Sequence, residues 1–171
     1  MLPLKYLAGY PEEVQNKVRE AIRLGQLAAM LRTRYPGRHQ VRSDEALYEY
    51  ALALKNCFLR NAEAPVKVVF DNRLHITANA LGINGRIPRV QGNRVKSRRE
   101  IRVASLFKEV PPEFLRMIVV HELAHLKERE HDRAFYQLCR HMEPDYEQLE
   151  FDLRLYLTQV DLVGWSAPRE A

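Results

Sequence analysis

His121-Glu122-Leu123-Ala124-His125, followed by His131, is the stretch from which the rest of the chain can be read. Two imidazoles four residues apart on a helix lie on one face, one turn apart. That spacing lets both rings meet one ion through metal–nitrogen bonds of roughly 2.0–2.1 Å. Glu122 follows the first histidine directly, where a carboxylate can take a proton from an attacking water without being a ligand itself.

Five matching residues occur by chance in many helices, so the surroundings decide the reading. Pro111-Pro112-Glu113 starts the helix that carries the motif. From position 114 to 126 it is apolar except at Arg116, His121, Glu122 and His125. A helix apolar nearly all round is buried, and an unpartnered ionisable group there is costly. A cation reached from solvent would provide the partner. Four of the six histidines lie between 121 and 141. His131 is the expected third ligand, at the interval that separates the second and third histidines of the metzincin pattern. That pattern turns the chain on a glycine, and here Glu128 stands instead. The competing third ligands are the downstream carboxylates Glu143, Asp145 and Glu147. Three protein ligands leave a fourth position open, as in a catalytic rather than a structural zinc site. Tyr136, Tyr146, Arg140 and His141 are the candidate donors to a developing oxyanion. His39 and His75 have no local company and receive no assignment.

Working outward, residues 11–33 predict a helix with Pro11 at its start, Glu12 and Glu13 in its first turn, and a possible break at Gly25. Ser43 opens a second helix that runs to about residue 60. The period then changes to two. Val66, Val68 and Phe70 alternate as in a strand, and so do Ile101, Val103, Ser105 and Phe107. Further strands are expected near 75–81 and 86–90, with Asn84-Gly85 as a hairpin signal and Gln91-Gly92-Asn93 as another turn. Asp132 is placed to cap a helix that ends before Pro144. A last helix follows from about Tyr146 to Val160. The expected class is α+β: N-terminal helices over 1–62, an antiparallel sheet of three or four strands over 63–110, and the buried motif helix with C-terminal helices over 111–163. All of it forms one domain spanning 1–171.

A chain of 171 residues with 46% hydrophobic and 29% charged residues suits one globular core. No stretch approaches the length of a membrane span. The first residues lead to no expectation of a signal peptide. Cys57 and Cys139 have no ligand-like spacing and read as buried thiols. A cytoplasmic protein with no membrane association is expected. The net charge is +5, yet residues 86–108 carry eight lysines and arginines against Glu100 alone. Such a segment can meet an anion, with Arg98, Arg99 and Arg102 as candidate contacts, or can simply protect a sheet edge.

The run from Ile118 to Lys127, with His131 and Ala134-Phe135, resembles the YgjP-like branch of small zincins, related more distantly to SprT-type proteases. The resemblance covers about residues 101–152 and extends back toward 66. It implies a zincin-like fold, one zinc ion per chain held by His121, His125 and His131, and Glu122 as general base. Phe135 would pack the helix after the third ligand. Many members of that family carry a Trp-Gly-Ser-Cys-like segment in the sheet, where this chain has Arg89-Val90-Gln91-Gly92-Asn93. The family's Asn-bearing strand is here Val103-Ala104-Ser105-Leu106-Phe107.

Four functions follow as expectations. The first is a zinc-dependent hydrolase of peptide bonds, with the strand around 102–107 pairing with the substrate. The second uses the same site to cleave a phosphoanhydride of a nucleoside triphosphate such as UTP, an activity the resemblance also implies, with the basic segment holding the phosphates. The third is a SprT-like, DNA-associated protease. The fourth, a purely structural zinc module, has no use for Glu122. Nitrogen-only ligation suits zinc but also cobalt and nickel.

Overall fold

A computed structural model of the chain describes residues 2–74 and 100–163. The strands expected near 75–81 and 86–90, the turns at Asn84-Gly85 and Gln91-Gly92-Asn93, and His75, Arg98 and Arg99 lie outside the described residues. A short 3-10 helix, Lys5–Leu7, precedes α1 (Glu12–Arg23), α2 (Gln26–Arg34) and α3 (Asp44–Phe58). Strands β1 (Lys67–Asp71) and β2 (Glu100–Ala104) come next, then a 3-10 helix, Ser105–Lys108. Helices α4 (Pro112–Ala124), α5 (Arg133–Met142) and α6 (Tyr146–Val163) complete the described chain.

Local signals account for most helix ends. Ser43 accepts the amide of Ala46 and caps α3, and Asp132 accepts the amide of Phe135 and caps α5. Gly25 divides α1 from α2 with φ +70°, a left-handed conformation that glycine adopts freely. A Cβ there would meet nothing within 4 Å. Gly25→Ala should therefore destabilise the protein by about 1–2 kcal/mol, through backbone conformation alone. Urea unfolding monitored by circular dichroism measures this.

The antiparallel sheet of three or four strands is corrected. Among the described residues the sheet has two strands, and they run parallel, with Val68 opposite Ile101 and Phe70 opposite Val103. Alternating apolar residues say which side chains face inward, not which way a strand runs. A parallel pair needs a crossover of about a dozen residues or more, and the chain between the strands is long enough. β2 also stops at Ala104, short of the expected 107. Phe107 is fully buried from a 3-10 turn instead of a strand. Cys57, expected inside, is exposed on α3, whereas Cys139 is buried.

Helix α4 is the centre of the core. Phe114, Leu115, Met117, Ile118, Val119, Val120, Leu123 and Ala124 are all buried on it. It packs against α3, α5, α6 and β2. Each large apolar side chain so buried contributes roughly 1.5–3 kcal/mol. The N-terminal helices are tied in through Asp152 of α6, which is 1% exposed. Its carboxylate accepts from the Tyr35 hydroxyl, from Arg34 at 2.8 Å and from Gln148 at 2.9 Å. Among the described residues, no helix is long and apolar enough to cross a membrane.

Candidate metal centre

The last turn of α4 delivers His121 and Glu122, and His125 stands at its C-cap with φ −67°. The chain then turns without any positive-φ residue. Lys127 and Glu128 donate their amides to the Ala124 carbonyl at 3.1 and 2.9 Å, a tightened helix end. This replaces the glycine turn of the metzincin pattern. The loop that follows returns His131 to the site just before Asp132 starts α5.

The three Nε2 atoms converge. His121 and His125 stand 3.2 Å apart, His125 and His131 3.0 Å, and His131 and His121 3.3 Å. Bonds of about 2.0–2.1 Å at tetrahedral angles separate ligand nitrogens by about 3.3 Å, so the triangle has the size of a zinc site. Its protonation supports the same conclusion. His125 Nδ1 lies 2.8 Å from the Glu128 carbonyl, which can only accept. That nitrogen therefore carries the proton, and Nε2 keeps its lone pair. Lone pairs turned toward a common point repel one another unless a cation sits between them. Among the described residues, these three form the one cluster of potential ligands.

Phe135 is fully buried beneath the site, with its ring centroid 4.9, 4.6 and 4.8 Å from those of His121, His125 and His131. It seats all three rings, a wider role than packing its own helix. The competing carboxylates are occupied elsewhere. Glu143 pairs with Arg116 at 2.6 Å, Glu147 pairs with Arg140, and Asp145 is exposed. His141 is exposed with its ring against Phe58. His39 accepts from the Val41 amide and donates to the Phe107 carbonyl at 2.9 Å, a purely architectural use.

Tyr146 lies behind His121, with its hydroxyl 2.7 Å from Nδ1, the nitrogen facing away from the triangle. That places it as a support for the His121 ring, on the side away from the convergent nitrogens. Tyr136 adjoins it, with ring centroids 6.2 Å apart. The Glu128 carbonyl is a backbone group, and no side-chain pattern could have revealed it. Arg102 pairs with Asp71 at 2.9 Å and with Glu100. Asp71 is held down at about 2, first by the Arg73 backbone amide and then by the Arg73 and Arg102 guanidiniums.

Burial lowers the pKa of all three histidines, His121 well below its usual value, with the neighbouring rings adding to the effect there. Burial pushes the Glu122 carboxyl up to about 8. The signs are opposite. Buried neutral histidines lose stability as pH falls below about 6.5, because the unfolded chain then binds more protons. A carboxyl with a raised pKa loses stability as pH rises from about 4.5 through 8, because the folded chain holds the proton longer. Protein stripped of metal by a chelator should therefore be most stable near about pH 6.5. Thermal melts across pH measure this, and Glu122→Gln should flatten the alkaline side.

The sequence model of the YgjP-like family, described as a metallopeptidase domain, matches residues 41–156. A protein of Escherichia coli (strain K12) named UTP pyrophosphatase is 56% identical over 162 residues, covering 95% of this chain and 97% of that protein. No solved structure matches.

Proposed function

The chain belongs to the YgjP-like family, and from that premise we propose that it is a metal-dependent hydrolase that splits a nucleoside triphosphate, with UTP the first substrate to test, into the monophosphate and pyrophosphate. The observation that carries the substrate is the similarity to the Escherichia coli UTP pyrophosphatase along nearly the whole of both chains. The convergence of three Nε2 atoms, with Glu122 next to His121 in the sequence, supports the hydrolytic chemistry.

His121, His125 and His131 would hold the ion, expected to be zinc, with cobalt and nickel as alternatives of the same ligand preference. When bound, such an ion supplies Lewis acidity to a phosphoryl oxygen and makes water more acidic. Glu122 accepts the proton of the attacking water and returns it to the leaving oxygen. One phosphorus–oxygen bond forms to water and the anhydride bond breaks. Arg98, Arg99 and Arg102 are proposed phosphate contacts. Arg102 already has two acidic neighbours, so neutralising it should matter least.

Peptide-bond hydrolysis is the second reading, favoured by the family model's description as a metallopeptidase domain. No observation favours the DNA-associated protease. Incubating zinc-loaded protein with UTP, with the other nucleoside triphosphates and with casein separates the readings. Pyrophosphate release from UTP, lost in Glu122→Gln, is the expected result. Casein cleavage with no nucleotide hydrolysis would reject the nucleotide reading.

A further inference from the structure

Lys127, Arg129 and Arg133 are exposed on the loop that carries His131 and on the first residue of α5. None of the three side chains has an ion-pair, hydrogen-bond or ring partner among the described residues. Elsewhere the cations are engaged. Arg34, Arg116 and Arg140 are held in ion pairs, and Lys108 lies over the Phe70 ring. Away from this loop, Arg60 is the one lysine or arginine among the described residues whose side chain has no partner.

The backbone beneath these side chains is fixed at both ends. The amides of Lys127 and Glu128 close on the Ala124 carbonyl, and the Glu128 carbonyl lies 2.8 Å from His125 Nδ1. Asp132 caps α5 through the Phe135 amide. The cationic heads themselves are unengaged. Lys127 follows the C-terminus of α4, where the helix dipole favours a cation, so the fold gives it a local reason. Arg129 has no such reason. Arg133 opens α5, where the dipole disfavours a cation, and no acidic residue in that first turn offsets it. A residue that breaks a local rule without a compensating contact points to function.

Arg129 and Arg133 stand two residues before and two residues after His131. Two residues span at most about 7 Å of chain, and a guanidinium on its long stem covers that distance. The anhydride that the site would split must lie at the three convergent nitrogens, which brings its phosphates within reach of both heads. The planar fork of arginine pairs two phosphate oxygens at once. Glu128, Glu130 and Asp132 alternate with the three cations, so the loop carries no excess charge. Selection of a phosphate therefore falls to the reach and shape of the guanidiniums and not to a general positive field.

We propose that Arg129 and Arg133, flanking the third histidine on either side, hold the phosphate chain of the nucleoside triphosphate at the metal centre. The inference rests on the nucleotide reading above and names the groups that would recognise that substrate.

Binding of UTP and of uridine is measured by calorimetry on zinc-loaded Glu122→Gln protein, where turnover is slowed, and KM and kcat are measured without that substitution. Arg129→Ala and Arg133→Ala should each weaken UTP binding by roughly 10-fold, the worth of a hydrogen bond to a charged group. Uridine, which has no phosphate, should bind the variants as it binds the parent. Zinc content and melting temperature should not move, because neither side chain touches another described group. Arg129→Lys/Arg133→Lys, which keeps the charges and loses the fork, should regain part of the affinity. Arg60→Ala removes one charge from outside the loop and should leave UTP binding unchanged. Parental UTP affinity in Arg129→Ala/Arg133→Ala would overturn these contacts and leave the nucleotide reading standing. An equal loss in Arg60→Ala, or lost zinc in the double variant, would also overturn them, since net charge or the site's structure would then be the cause. A wild type that neither binds nor splits UTP would reject the nucleotide reading and this inference with it.

Discussion

Glu122→Gln should leave zinc bound and lower turnover by about 10²–10⁴-fold, the usual contribution of a positioned general base. Glutamine keeps the size and shape of the side chain but cannot accept a proton at neutral pH. None of the three convergent nitrogens belongs to Glu122, so metal content should not change. With no cation near it, burial holds the carboxyl protonated up to about 8. A nearby divalent charge would favour the carboxylate, so on the proposed reading metal loading and ionisation of Glu122 go together. The measurement pairs metal analysis with pyrophosphate release from UTP. Turnover at the wild-type rate in a zinc-loaded variant would reject Glu122 as the base.

His131→Ala should cost more than about 100-fold in zinc affinity, beyond the range seen for partners that only support a ligand. The variant removes one corner of a triangle whose sides are 3.0–3.3 Å and leaves two nitrogens with an opening between them. The fold should survive. His131 sits in a loop and is only part-buried, and the cap on α5 belongs to Asp132. Chelator competition gives the affinity, and circular dichroism checks the helices. Unchanged metal content would return the third ligand to a carboxylate. Glu143 and Glu147 would then have to leave Arg116 and Arg140.

The helices were legible because their signals are local. Ser43, Asp132 and the Pro111-Pro112 start act within one turn of the end they define. The break at Gly25 is one residue's conformational freedom. The burial of α4 followed from an apolar periphery with no polar stripe. The sheet was less legible. Ile101 and Val103 do face inward, but the parallel direction of β2 depends on a partner far back in the chain. The reach of the strand was misjudged because Ser105 to Phe107 continue the alternation while forming a 3-10 turn.

The approach of His121 to His125 was legible in the sequence itself, since a helix carries residues four apart to one face whatever surrounds it. His131 was suggested by spacing, but only the packing of its loop over Phe135 closes the triangle. Tertiary structure alone placed Tyr146 behind His121 across 25 residues of chain and turned Arg102 onto Asp71 across 31. Periodicity encodes what one element does along its own axis. Which side chains meet from different elements is decided by how those elements pack, and that packing selects the hydrogen-bond partner of His121 and the ion pairs of Arg102.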